Sequence, residues 1–393
     1  MRLVGVELRW LALQLRRPVG TAAGVHSARP VALARVVTEG ADGWGECGAL
    51  AGGTSVDPPV DAVWAKLAGD AVGRLIGATR ARAGHVPEAS RIATLFAGTP
   101  VDRMAAAALE MAVLDAELRA AGTSFARRLH ETPPEAGGDG APFRVRAGAM
   151  VGIPPGRELQ ELVDAVGEQV SRGFGRVRVK IEPGWDVQPL AAVRQAHPDV
   201  ELQADANGAY RLRSHGMDDA ERLAALDGLG LVCVEQPLPP ADLAAHAILA
   251  GRIGTPICLD ESLGSIRRVT DAIRYGACSV ACLKPARLGG VFAARLAQEL
   301  CREAGVDAFV GGLFESGLGR SANAALATLP GFTLAGDLSA PADYLRADPF
   351  SYPPVEGGRV AVYDGPGIAP EPDPATLLAC TDSARTAWFP YPS

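Results

Sequence analysis

Lysine is almost missing from this chain. Of its 393 residues 38 are lysine or arginine, and only Lys66, Lys180 and Lys284 are lysine, which leaves 35 arginines (38 minus 3). A fixed positive charge is evidently supplied by arginine, so a retained lysine points to a task that arginine cannot do. An ammonium gives up its proton when desolvated or set beside another cation, whereas a guanidinium does not. Other scarcities exclude whole classes of function. The net charge is −7 with no basic run, which argues against a nucleic-acid partner. Arg2, Glu7 and Arg9 interrupt the first apolar stretch, so neither a signal peptide nor a membrane span is expected. The seven cysteines form no Cys-x-x-Cys pair; Cys278 and Cys282 read as buried thiols, and a reducing, cytoplasmic location is the expectation. The six histidines show no metal-ligand spacing, and only His26, in a stretch that contains Gly20 and Gly24, invites attention.

What is present is a regular spacing. Lys180 and Lys284 each end an apolar, β-rich run, Val177–Lys180 and Val280–Lys284. Asp205, Glu235 and Asp260 stand between them, also at the ends of such runs, and the successive steps of 25, 30, 25 and 24 residues each fit one strand, one helix and two short loops. The pattern extends to a first strand at Arg144–Val151 and to a seventh and eighth at Asp307–Leu313 and Phe332–Leu338. Helical stretches such as Glu158–Val170, Ala220–Leu226 and Val291–Ala304 lie between. Eight such repeats predict a (β/α)₈ barrel over residues 141–340. A doubly wound sheet lacks support, because no glycine-rich phosphate turn follows the first strand of the repeat. Residues 1–140 predict an α+β capping domain with strands at Arg2–Leu15 and Pro30–Thr38 and a helix at Val101–Ala121. Pro133–Pro142 reads as a linker, and 341–393 as a segment returning to the cap. The stretch Val19–His26 reads as a loop able to close over the barrel mouth.

All five ionisable residues fall at C-terminal strand ends, the face where such barrels do chemistry. Strands two and six of a closed eight-membered ring lie opposite each other, so Lys180 and Lys284 should face one another with the three carboxylates along the arc between. That oxygen-rich set suits Mg²⁺, with Mn²⁺ or another divalent cation as a substitute. Arg178 precedes Lys180 by two residues and shares its strand face, where its charge, like that of the metal, should lower the lysine's pKa. Two opposed lysines around a metal suit removal of a proton α to the carboxylate of a small molecule, with the enediolate stabilised on the metal.

Several segments carry a family resemblance: Arg178-Val179-Lys180-Ile181-Glu182-Pro183-Gly184, Asp205-Ala206-Asn207, Val234-Glu235-Gln236-Pro237-Leu238, Leu259-Asp260-Glu261-Ser262 and Leu283-Lys284-Pro285-Ala286-Arg287-Leu288-Gly289-Gly290. Together they resemble the enolase superfamily and its muconate-lactonizing subgroup. The stretches from Gly311 to Arg320 and from Gly336 to Ala340 resemble the o-succinylbenzoate synthase / N-acylamino acid racemase branch. The resemblance implies that Asp205, Glu235 and Asp260 bind Mg²⁺ and that Lys180 and Lys284 are the acid/base pair. It also implies that Arg287 is a supporting cation near Lys284, and that Gly312, Leu313 and Phe314 line the substrate pocket. Four positions depart from the pattern: Arg178 replaces a lysine, Met150 a serine, Cys282 an asparagine and Val19 an aromatic residue. The loop Ala51–Pro59 lacks the expected tyrosine and glutamate. All of these departures touch substrate fit.

The implied reaction is dehydration of a 2-hydroxycyclohexadiene carboxylate to o-succinylbenzoate, with or without racemisation of N-acyl amino acids, in a homo-oligomer. The alternatives are a dipeptide epimerase or a cycloisomerase of the same superfamily. Against the epimerase, Gly336-Asp337-Leu338 stands where an Asp-x-Asp is expected. A non-catalytic binding protein on the same barrel would be favoured by loss of one carboxylate, and all three are present.

Overall fold

The computed structural model describes residues 1–21, 24–130, 143–212 and 219–392. Strands β1 (Leu3–Thr21), β2 (Gly24–Thr38) and β3 (Gly43–Glu46) form an antiparallel sheet. One face of β1 and β2 is a period-two series of buried apolar side chains, including Leu11, Leu13, Val31 and Leu33. The stretch expected as a loop is the tip of this hairpin: Val19, Gly20 and Thr21 pair with His26, Val25 and Gly24. The side chains of Val19 and His26 lie outside what is described.

Helix α1 (Pro100–Ala120) packs across the sheet. Its start is fixed by a capping box in which the Thr99 and Asp102 side chains bond each other's backbone N–H groups. Gly43 and Gly45 let β3 lie directly on this helix, because a Cβ on Gly45 would stand 1.9 Å from the Ala108 carbonyl oxygen and one on Gly43 2.1 Å from that of Ala112.

Seven parallel strands follow in sequence order across one curled sheet: β4 (Gly148–Val151), β5 (Arg176–Lys180), β6 (Glu201–Asp205), β7 (Val234–Glu235), β8 (Ile257–Leu259), β9 (Val280–Leu283) and β10 (Asp307–Val310). The expected first strand divides, because Arg144–Arg146 pairs instead with Arg359–Ala361 and only Gly148–Val151 joins the barrel. The expected eighth strand is not a regular one. Leu334 and Asp337 donate to the carbonyls of Ala308 and Val310 on β10, while Gly148 donates to Gly336 and Gly336 to Arg146 on the other side. Three backbone bonds to the two edge strands, with a fourth to Arg146 just before β4, thus run through 334–337, an irregular segment that does a strand's work of closing the ring. The C-terminal strand β11 (Thr381–Pro390) returns to pair with β1.

The N-terminal sheet and helix are pinned to the barrel by buried carboxylates set at helix starts. Glu110 of α1 accepts from Val291 N at 2.6 Å, where the helix Val291–Glu303 begins. Glu46, at the end of β3, accepts from Ser316 N, Ser316 Oγ and Gly319 N, where the helix Gly317–Leu326 begins. A carboxyl oxygen at a helix N-terminus accepts from N–H groups that have no partner within the helix. Arg29 of β2 reaches the same place, donating to the Phe314 carbonyl at 3.0 Å. The loop 311–316, which follows β10, is therefore held from outside the barrel.

Candidate active site

Parallel register sets three of the site residues side by side, because Lys180 pairs with Asp205 and Asp205 with Glu235. Each ends its strand and points inward, so consecutive strands place consecutive charged groups on one rim. Asp260 follows β8 and Lys284 follows β9. A cavity of about 560 Å³ opens there, lined by Lys180, Asp205, Asp260, Lys284, Arg178 and Arg287 among others. Met150, Gly312, Leu313 and Phe314 also line it. Glu235 and Cys282 are buried beside the cavity and are not among its lining residues.

Asp205, Glu235 and Asp260 each have a cation partner. Lys180 Nζ donates to Asp205 at 2.6 Å and to Asn207 Oδ1 at 2.7 Å. Lys284 Nζ donates to Asp260 Oδ2 at 2.7 Å, and Arg287 Nη1 to Asp260 Oδ1 at 2.5 Å. Arg178 Nη1 spans both oxygens of Glu235, at 2.8 and 2.9 Å, and its Nη2 donates to Asp337 at 2.8 Å. Arg178 shares the cavity with Lys180, and its charge is paired with Glu235 and with Asp337 from the ring-closing segment.

The pKa directions follow from crowding. Burial raises the Glu235 carboxyl, and repulsion from Asp205, Asp260 and Asp337 adds to this against the pull of Arg178, taking it to about 8. Burial would raise Asp260 too, but Lys284 and Arg287 more than reverse that and hold it well below the usual carboxylate range. For the Lys284 ammonium, burial acts downward and Asp260 upward, and Asp260 prevails.

Three residues that follow barrel strands, Asn207, Gln236 and Phe314, have φ of +43°, +40° and +55°. Such backbone costs about 1–3 kcal/mol each and persists where surroundings over-determine it. Asn207 is held by Lys180 and by its own bond to Glu261 at 2.8 Å. Gln236 Oε1 accepts from Asp260 N and Ser262 N, which fixes the turn carrying Asp260. Sequence reasoning quoted Asn207, Gln236, Glu261 and Asp337 within motifs but gave them no role. It missed Asp57, whose carboxylate grips Arg287 from 230 positions away; no local signal marks such a contact.

The donor set fits a divalent cation. Several buried carboxylates converge, Glu261 Oε2 is buried without a hydrogen-bond partner, and the oxygens of Glu235 and Asp260 lie with Cys282 Sγ within 4.8 Å of one another. Among the described residues the set that comes this close is Glu235, Asp260 and Cys282, and Asp205, expected from sequence as the third ligand, is not part of it. An oxygen-only set with Asp205 would be harder than this one with its thiol.

Comparison with known proteins gives the family. Residues 5–129 match the family "Mandelate racemase / muconate lactonizing enzyme, N-terminal domain", and residues 161–376 match "Enolase C-terminal domain-like". An N-succinylamino acid racemase of an Amycolatopsis species is 42% identical over 96% of this chain and 97% of its own length. An o-succinylbenzoate synthase of Geobacillus kaustophilus is 36% identical over 97% and 96%. The solved structure of a probable mandelate racemase from Alicyclobacillus acidocaldarius superposes over the whole of both chains with a TM-score of 0.87 at 33% identity.

Metal binding to these carboxylates should appear as stability. In chelator-treated protein, Mg²⁺ or Mn²⁺ at a hundredfold excess over its Kd should stabilise the fold by about 2.7 kcal/mol. Glu235→Gln should fold and lose that response in a thermal melt. A variant that keeps the full metal-dependent shift would remove Glu235 from the site.

Proposed function

The chain belongs to the enolase superfamily, in its mandelate racemase / muconate lactonizing enzyme group, and on that premise we propose that it is a Mg²⁺-dependent enzyme that removes the proton α to a substrate carboxylate. The reaction we assign is o-succinylbenzoate synthesis by dehydration, racemisation of N-acyl amino acids, or both in one site. The observation that carries this reading is the arrangement of Lys180 and Lys284, from the second and sixth barrel strands, in one cavity with the rim carboxylates between them. Asp205, Glu235 and Asp260 would hold the cation, which would supply positive charge to the substrate carboxylate as the α-carbon loses its proton.

The two lysines are not equivalent. Lys180 retains 14% side-chain exposure and touches Asn207 and Asp205 at the cavity wall. Lys284 is more deeply set, between Asp260 and the Gly311 backbone, where a Cβ would stand 2.9 Å from its Cε and Cγ. In racemisation each lysine would serve one face of the α-carbon. In dehydration Lys180 would be the base and final acid, and Lys284 a fixed cation.

Arg211 supports an anionic substrate arm. It lines the cavity, and its guanidinium donates to the carbonyls of Gly208 and Tyr210 with no carboxylate partner among the described residues. An N-succinyl group carries such an anion, and the Amycolatopsis relative is named for it.

Lys180→Arg and Lys284→Arg keep charge and remove a group able to shuttle a proton near neutral pH. Each should abolish racemisation, a loss of at least about 10²–10⁴-fold for a missing general base. Dehydration should fall with Lys180→Arg and survive better in Lys284→Arg. Near-normal dehydration by Lys180→Arg contradicts the assignment. For Arg211→Gln, KM should rise about tenfold for N-succinyl substrates and little for N-acetyl ones, consistent with loss of about 1.4 kcal/mol of charge-assisted binding. An equal change for both would take Arg211 out of substrate recognition.

A further inference from the structure

Arg287 is held from two sides. Its Nη1 donates to Asp260 Oδ1 at 2.5 Å, while its Nε and Nη2 form a two-point fork on Asp57 at 2.8 and 2.7 Å. All three side chains are buried, at 4%, 2% and 6% relative exposure for Arg287, Asp260 and Asp57. Asp57 comes from the loop between β3 and the helix Val60–Lys66, on the N-terminal side of the molecule. The loop itself walls the cavity through Leu50, Gly52, Thr54 and Ser55.

Several bonds fix Asp57 within its loop. Thr54 Oγ1 donates to Asp57 Oδ2 and accepts from Asp57 N, both at 2.9 Å, and Thr54 N donates to the Asp57 carbonyl. Gly53, at φ +67°, makes the tight bend, and a Cβ there would stand 2.6 Å from the Asp57 carbonyl oxygen. On the other side, Arg103 of α1 donates to the Arg287 carbonyl at 3.0 Å. Side chain and backbone of Arg287 are thus both held by N-terminal elements.

Charge arithmetic gives the contact a function. Within the group Asp57, Arg287, Asp260 and Lys284 the charges sum to zero. Without Asp57 the sum becomes +1, and Asp260 becomes the sole partner of both cations. Its oxygens are then harder to draw away, and a divalent cation meets an uncompensated positive charge. Removing such an outer-shell partner typically lowers metal affinity 10–100-fold.

We propose that Asp57 is a positioning residue of the catalytic centre. Its carboxylate balances Arg287, which leaves Asp260 free to bind a divalent cation, and in the same contact it latches the cavity-walling loop 50–57 onto the barrel. This rests on the reading of Asp260 as a metal ligand, which the experiment tests separately.

Mn²⁺ binding to the full chain, followed by the electron paramagnetic resonance signal of free Mn²⁺, needs no substrate. Wild-type protein should bind one Mn²⁺, and Asp57→Asn should bind it 10–100-fold more weakly. The double variant Asp57→Asn/Arg287→Gln, which removes both charges of the pair, should return to within about threefold of wild type, since its local sum is again zero. Unchanged Mn²⁺ affinity in folded Asp57→Asn overturns the proposal while leaving the metal site standing. Should Asp57→Asn fail to fold, the double variant decides: a tenfold or greater weakening there overturns the proposal, because no Arg287 charge remains for Asp57 to balance. Absence of Mn²⁺ binding by wild-type protein overturns the proposal and the metal-site reading together.

Discussion

The structure depends on one electrostatic constraint: Asp205, Glu235 and Asp260 are buried beside one another at the barrel rim, with the half-buried Glu261 against them. Unpaired, each would cost several kcal/mol to bury. The fold answers by matching a cation to three of them, and those cations come from different parts of the barrel. Lys180 and Arg178 share β5, Lys284 follows β9, and Arg287 sits in the short turn of helix after it. Arg178 in turn needs Asp337, which belongs to the irregular segment that closes the ring. Ring closure and charge balance are therefore one problem with one solution. The same crowding that makes the rim costly when empty of cations is what makes it receptive to a divalent one.

The N-terminal sheet and helix complete that solution from outside. Glu46 and Glu110 cap two barrel helices, Arg29 holds the Phe314 carbonyl, and Asp57 faces Arg287. Two of these contacts bear directly on the cavity wall, one through the loop 311–316 and one through the loop 50–57. The N-terminal part is thus structural support for the chemistry as well as its cover. Among the described residues no helix is long and apolar enough to cross a membrane, and the cavity is sized for a small molecule.

Much of this was legible in the sequence because the barrel writes its chemistry at regular intervals. Lysine scarcity singled out Lys180 and Lys284, and the spacing of about 25 residues put the three carboxylates on successive strands without any structural knowledge. What failed to show were features with no local period. The eighth strand reads as an apolar run, Phe332–Leu338, yet its backbone bonds to the flanking strands fall within 334–337, where Gly336 meets Arg146 and Asp337 meets Arg178. The Val19–His26 stretch was read as a loop from its glycines at both sides, Gly20 and Gly24, although Val19–Thr21 pairs with Gly24–His26. Arg178 was placed from its spacing, but its pairing with Glu235 and Asp337 depends on segments far away in sequence and could not be read. Asp57 was overlooked for the same reason, in a loop judged only by the tyrosine and glutamate it lacks.

The central claim is proton removal from the α-carbon of a carboxylate, and isotope exchange tests it most directly. Single enantiomers of N-succinyl amino acids, incubated with the protein and Mg²⁺ in D₂O, should lose the α-proton resonance in the ¹H spectrum, and chelation should stop the loss. Lys180→Arg and Lys284→Arg should each block exchange from one enantiomer more than from the other. No exchange across a panel of N-succinyl amino acids, and none of the cyclohexadiene substrate dehydrated, would contradict the account. Metal-independent exchange would contradict it equally.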